Sequence, residues 1–335
     1  MAEPRQNLEA APAARRVTLE DIARICGVSK ITVSRALRKS PKVRPDVRER
    51  IEAAAREAGY RINLAARDLR LRNRRRVAIV VDLAPDEARP MSDPYPLVLL
   101  GGAVEALATA GYAAVVTTSD PALRDEASDT SGIILLGQGP DHHTVREYAL
   151  LGLPLVVWGD DGDGIDRASG VVVIGSDNRQ GGAQAARHLI ERGRKRVAFL
   201  GDTRHAEMRA RCDGCQAVLA DHGLAPAIEL HCELTAAAAE VAVEALLGRD
   251  PKVDAIFAGS DLMAAGAKRA AARAERDIAI VGYDDSPAAA AFGLTSISQD
   301  WAGGGKLLAR ALLELIAGQH PEPSSLPTRL VLRDT

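Results

Sequence analysis

The sequence predicts an α/β protein, with a small helical head ahead of a body of doubly wound lobes built on parallel sheets. Three observations carry this. From about residue 77 onward, short Val/Ile/Leu-rich runs alternate with helical segments. Those runs are nearly continuous in apolar residues, as strands covered on both faces require. The first sixty residues instead hold segments of helical period punctuated by Gly27, Pro45 and Gly59. With 335 residues, 47% of them hydrophobic, the chain can bury the cores of two or three domains. Aromatics are only 3%, so those cores must be aliphatic.

Charge divides the chain the same way. The net charge is −2, yet residues 1–76 hold 20 Lys/Arg against 9 Asp/Glu, or +11. The remainder holds 23 basic and 36 acidic residues, or −13. A basic head on an acidic body points to a polyanion partner for the head alone. Four cysteines make no disulfide framework. The first sixteen residues carry Glu3, Arg5 and Glu9 and lack an apolar h-region, so a flexible lead is expected rather than a secretory signal. No apolar run approaches the ~20 residues of a membrane span. A cytoplasmic, nucleoid-associated protein with no membrane contact is the expectation.

In the head, Thr18 stands three residues before Asp21, close to a capping-box pattern. Leu19, Ile22, Ala23 and Cys26 follow at i, i+3, i+4 and i+7, one helical face. Gly27 supplies a tight turn, and Ser29 can cap the next helix. There Val33, Ala36 and Leu37 face inward, leaving Lys30, Ile31, Ser34 and Arg35 outward. A third helix begins at Pro45–Asp46, buries Val47, Ile51, Ala54, Ala55 and Ala58, and ends at Gly59. Helix, short turn, helix and supporting helix form a helix-turn-helix. A second helix seated in a major groove needs short hydroxyls for phosphates and longer side chains for base edges. Beyond the head, Asn63 can cap a short helix holding Leu64, Ala65, Ala66 and Leu69, before the basic run Arg70, Arg72, Arg74, Arg75 and Arg76.

In the body the strands read VAIVVDL, AAVVTT, GIILLG, PLVVWG, GVVVIG, RVAFLG, AIFAG and IAIVGYDD. The helices between them include segments 97–110, 179–192 and 213–222. Such lobes bind ligands outside the C-terminal ends of their strands.

The run V-S-x-x-T-V-S-R-x-L, here Val28, Ser29, Thr32, Val33, Ser34, Arg35 and Leu37, resembles the DNA-binding head of the lactose-repressor (LacI/GalR) family. The body extends the resemblance to about 320 residues, through GSDNRQGG, RARCDG, GSDLMAAG, VGYDDSP and SISQDWAGGGKLLARALLELI. The resemblance implies that Lys30, Ile31 and Arg35 read bases. It implies that Thr18, Ser29, Thr32 and Ser34 hold phosphates. Asn63, Ala66 and Leu69 would form a hinge helix whose leucine wedges into the minor groove. The body would be a two-lobed, periplasmic-binding-protein-like effector domain, crossed near 175–177, 298–300 and 321–328. Effector contacts would come from Tyr95, Trp158, Arg211, Asp261, Asp284 and Gln299. Trp158 could equally be core, Arg211 a structural ion pair, and Asp261 and Asp284 helix caps. Relative to the family, the segments near 120–132 and 270–278 are short, so a helix there should be reduced and a turn tightened.

The expected domains are 1–16 lead, 17–61 helix-turn-helix, 62–76 hinge and basic linker, and 77–335 effector binding and dimerisation. The expected function is a ligand-responsive, sequence-specific regulator of transcription. It would be a repressor of a catabolic, carbohydrate operon, bind a near-palindromic duplex operator as a homodimer, and use no cofactor or metal. No extra C-terminal heptad helix follows RLVLRDT, which favours a dimer over a tetramer. The alternatives are a sugar carrier or enzyme on the same lobes, and an architectural DNA binder with an inert cleft. No nucleophile–base constellation, Walker A or G-x-S-x-G is visible, so an enzyme is not expected. Cys212-x-x-Cys215 lacks a second pair for zinc. The acidic stretch 159–164 lacks the ligands of a calcium loop and reads as solvated.

Overall fold

The computed structural model describes residues 18–37, 43–58, 75–82, 94–160, 162 and 170–335. It divides into two compact units, Met1–Asn73 and Arg74–Thr335.

In the first unit, α1 (Leu19–Cys26), α2 (Lys30–Leu37) and α3 (Pro45–Glu57) pack around Ile22, Val33, Ala36, Val43 and Ile51. The capping box at the start of α1 is formed: the Asp21 backbone N–H donates to Thr18 Oγ1 at 3.3 Å, and the Thr18 N–H to Asp21 Oδ2 at 2.9 Å. Gly27, at φ 63°, ends α1 in the left-handed region. Ser29 Oγ then accepts from the Thr32 N–H at 3.1 Å and starts α2. Arg50 of α3 donates to the Cys26 carbonyl at the end of α1, at 3.3 Å. Full burial of a side chain such as Ile22 or Ile51 stabilises by about 1.5–3 kcal/mol. A core of so few residues therefore depends on each of them.

The second unit holds two parallel sheets. The first lobe contributes β1 (Arg76–Val81), α4 (Pro94–Thr109), β2 (Ala113–Thr118), α5 (Arg124–Ser128), β3 (Ile133–Leu136), α6 (His143–Ala149), β4 (Leu155–Trp158) and β5 (Val172–Ser176). The second contributes α7 (Asn178–Glu191), β6 (Val197–Leu200), α8 (Ala206–Asp221), β7 (Ile228–Leu230), α9 (Ala236–Arg249), β8 (Ala255–Ala258), α10 (Asp261–Arg273), β9 (Ala279–Asp284), α11 (Pro287–Ala291) and β10 (Thr295–Ser298). The chain returns to the first lobe as α12 (Trp301–Ile316) and β11 (Ser324–Leu326), then ends on the second as β12 (Arg329–Val331). The strand orders are β11-β5-β4-β3-β1-β2 and β12-β10-β9-β8-β6-β7. Among the described strands only β12 runs antiparallel to its neighbour, pairing Ile297 with Leu330. The lobes are thus joined after Ser176, after Ser298 and after Leu326, within or beside the three expected segments.

Central strands are buried on both faces, which explains their unbroken Val/Ile/Leu character; the edge strand β2 is partly exposed along its length. Strands β7, β10, β11 and β12 were not among those expected. These three- and four-residue strands carry too little apolar pattern to stand out. Helix α8 begins at Ala206, ahead of the expected start near 213. The shortened segment before β3 contains a single 3-10 turn and the five-residue α5. The shortened turn after α10 forces Glu275 into the left-handed region, at φ 52°.

Candidate functional site

The outward face of α2 is polar and basic with one apolar exception. Lys30, Ile31 and Arg35 are all exposed, and Ile31 is 63% exposed without packing on the head's core. Lys30 meets Glu20 at 3.3 Å in an exposed pair that contributes little and exchanges readily. Thr18 and Ser29 stand at the starts of α1 and α2, where backbone N–H groups and the helix dipole favour anions. Ser29 Oγ and Thr32 Oγ1 are 2.8 Å apart. The side chain of Ser34, and all of Asn63, Ala66 and Leu69, lie outside the described residues.

In the body, all six expected effector contacts line one cavity between the lobes. Tyr95, Trp158, Arg211, Asp261, Asp284 and Gln299 converge there from the ends of β4 and β9, the starts of α4 and α10, the middle of α8 and the crossing between β10 and α12. The free space is about 60 Å³, room for a few water molecules. A larger groove of about 890 Å³ adjoins it and shares Gly159, Ser176 and Asn178. None of the six lines that groove.

Arg211 forms no ion pair with a carboxylate among its described contacts. Its Nε donates to Asn178 Oδ1 at 2.9 Å and its Nη1 to the Gly259 carbonyl at 2.6 Å. Its guanidinium lies 3.6 Å from the Tyr283 ring centroid. The α7–α8 crossing sets this up. A Cβ at Gly182 would fall on the Arg211 carbonyl, and one at Gly214 on the Arg179 carbonyl. Only glycines let the two backbones approach so closely, which brings Asn178 within reach of Arg211.

Asp261 is fully engaged. Oδ2 accepts from the Ser286 N–H at 2.7 Å, and Oδ1 from the Ser296 hydroxyl at 2.6 Å. Burial pushes its carboxyl up, to about 6. These bonds brace a turn in which Asp284 and Asp285 both have positive φ, 112° and 53°. Ser296 Oγ accepts in turn from the Asp285 N–H at 3.0 Å, and Arg333 pairs with Asp285 at 2.5 Å. The strained turn presents Asp284 to the cavity, where its Oδ1 accepts from Gln299 Nε2 at 2.7 Å. Trp158 is 4% exposed and belongs to the first lobe's core, packed against Gly304 of α12, so the cavity meets only its margin. Tyr95 packs edge-on against Trp301, ring centroids 5.8 Å apart.

Five residues not assigned from the sequence complete the cleft. Asn178 Nδ2, from the second lobe, donates to Asp160 Oδ2 of the first at 2.9 Å. Asp160 is therefore half-buried and held by the other lobe, although its acidic stretch was expected to be solvated. Gln138 clamps its backbone at 2.8 and 2.9 Å, and burial pushes its carboxyl up. Ser176 Oγ, Glu207 Oε2 and Trp301 Nε1 are buried, line the cavity and have no hydrogen-bond partner among the described residues. Orphaned buried polar atoms are rare in folded proteins and mark strain, a ligand or bound water. No local pattern distinguishes them, because their convergence needs both lobes.

Cys212 and Cys215 are buried in the second lobe's core, where burial pushes both thiols up to about 12. Among the described residues no group of three or more His, Cys, Asp or Glu is placed to hold a metal. None of their helices is long and apolar enough to cross a membrane.

Residues 18–63 match the bacterial regulatory proteins of the lacI family, and residues 186–335 match a periplasmic binding protein-like domain. The HTH-type transcriptional regulator CelR of Thermobifida fusca is 32% identical over 96% of this chain and 98% of its own length. The chain belongs to the lacI family of bacterial regulatory proteins. Other relatives in this family include a ribose operon repressor of Halalkalibacterium halodurans, 27% identical over 95% of this chain and 96% of its own. A solved complex of the regulator CelR with cellobiose superposes with a TM-score of 0.68 at 29% identity, covering 95% of this chain and 99% of that one. A lac repressor dimer bound to operator and the anti-inducer ONPF superposes at 0.83 with 24% identity over 95% and 98%, and shows the shared fold. The helix-turn-helix head and two-lobed α/β body are thus those of this family of transcriptional regulators.

Proposed function

We propose that this chain represses a carbohydrate operon, binding a near-palindromic duplex operator as a homodimer and releasing or tightening it when a sugar enters the inter-lobe cavity. The observation that carries the reading is the exposed face of α2: a basic surface with one unpacked isoleucine is hard to explain except as a groove reader. Lys30 and Arg35 supply donors to base edges, and Ile31 supplies apolar contact such as a thymine methyl. Thr18, Ser29, Thr32 and Ser34 hold phosphates. Asn63, Ala66 and Leu69 form the hinge wedge on the strength of the sequence resemblance. In the body, Arg211, Asp284, Gln299, Tyr95 and the edge of Trp158 contact the sugar, while Asp261 positions the turn that carries Asp284. The domains follow the limits 1–16, 17–61, 62–76 and 77–335. The protein works in the cytoplasm and catalyses no reaction.

The test is selection from a randomised duplex pool at near-physiological salt, followed by titration of sugars against the selected site. The expected result is enrichment of a two-fold-related sequence whose retention changes with one class of sugar. Failure to enrich any sequence, with and without sugars, overturns the reading.

A further inference from the structure

The charges around the cavity also restrict which carbohydrate it takes, an inference that rests on the cavity being the effector site. Glu207 sits in the first turn of α8, with Oε2 buried and unpartnered among the described residues. Asp160 of the opposite lobe lies within its field, and burial together with the Glu207 charge pushes the Asp160 carboxyl up. Among the described residues, three carboxyl side chains, Glu207, Asp261 and Asp284, line the cavity beside a single cation, Arg211. Two of the three guanidinium nitrogens already serve Asn178 and Gly259. The arginines at 146, 179, 204 and 209 line the adjoining groove instead. Ser176, 4% exposed, and Trp301, 7% exposed, add an unpartnered hydroxyl and an unpartnered indole N–H to the cavity wall. The open positions thus comprise an anionic acceptor, a hydroxyl and a neutral donor.

We propose that Glu207 is the charge selector of the cleft, accepting a hydroxyl hydrogen from an uncharged carbohydrate and excluding sugar acids and sugar phosphates. A ligand hydroxyl donated to Oε2 satisfies a buried acceptor that otherwise carries its full desolvation penalty. A ligand carboxylate or phosphate in the same place confronts a like charge in a poorly solvated space and leaves the acceptor unmet. Affinity for anionic ligands should fall accordingly.

The experiment is calorimetric titration of the full-length chain with matched series. Glucose, galactose, ribose and cellobiose are compared with glucuronate, galacturonate, glucose 6-phosphate and ribose 5-phosphate. At least one uncharged sugar should bind, and its acid or phosphate counterpart should bind more weakly by about thirtyfold or more. Glu207→Gln keeps the size of the side chain and removes the charge. It should narrow that ratio by about tenfold, while Glu207→Ala weakens the uncharged sugar itself. An acid or phosphate that matches its neutral counterpart, or a ratio that Glu207→Gln leaves unmoved, overturns the selector and leaves the cleft as the effector site. If no compound of either series binds, the effector-site reading falls, and the selector with it.

Discussion

Arg35 and Asp261 show how much one residue reveals before its neighbours are known. Arg35 was legible in the sequence, because outward basic residues on the second helix of a helix-turn-helix have one evident use. Arg35→Ala should cost about 1–3 kcal/mol of operator affinity and relax the preference at one base pair, read by binding to operators varied at each position. Equal weakening on every sequence would reduce Arg35 to a phosphate contact. Asp261 was legible as a cleft residue but not as the brace of a strained turn, since Ser286 and Ser296 reach it from 25 and 35 residues away. Its raised folded-state value fixes the sign of its pH effect. The folded protein holds this proton more tightly than the unfolded chain, so stability from this group is complete below pH about 4. It is lost as pH rises towards about 6. Asp261→Asn should remove that slope from the pH dependence of the unfolding free energy, measured in denaturant. An unchanged slope would place the proton elsewhere.

Among the elements, the central strands were easy to read and α8 was not. Strands such as β3 and β8 are covered on both faces and so spell themselves in aliphatic residues. The inward stripe of α8 runs Met208, Arg211, Cys212, Cys215, Val218 and Leu219, placing a guanidinium at an apolar position. That arginine masks the helical period at the very point where the helix serves the site. The α7–α8 crossing was hidden for a related reason, since Gly182 and Gly214 look like helix breakers unless the other backbone is known to lie against them. Gly214→Ala should destabilise the body by about 1–3 kcal/mol through overpacking, measured by chemical denaturation. It should also weaken sugar binding, because moving α8 off α7 pulls Arg211 from Asn178. Gly248→Ala, where no neighbour lies within contact of the added methyl, is the control: it should leave sugar binding unchanged and, by helix propensity, stabilise the body by up to about 1 kcal/mol rather than destabilise it.

At the scale of the whole molecule, two of the three segments that join the lobes are tied to one another, and the remaining one is tied to the Asp284 turn. The Asp177 N–H donates to the Leu326 carbonyl at 2.8 Å and Thr328 Oγ1 to the Asp177 carbonyl at 3.5 Å, while Gln299 donates to Asp284. Short, mutually bonded crossings favour rigid-body motion of the lobes over continuous deformation. With about 60 Å³ of free space at this point, entry of a sugar ring should be coupled to movement of the lobes relative to one another. A ligand shifts such an equilibrium only by its differential affinity for the two arrangements. The coupling must therefore be reciprocal. If saturating sugar changes operator affinity by some factor, about 5–150-fold being usual, saturating operator must change sugar affinity by the same factor. Paired titrations, operator with and without sugar and sugar with and without operator, should return equal factors. Gln299→Ala removes a bond between a crossing and the strained Asp284 turn, and should change both factors together. Factors that disagree would mean that a further equilibrium, such as dissociation of the dimer, is linked to one of the two binding events.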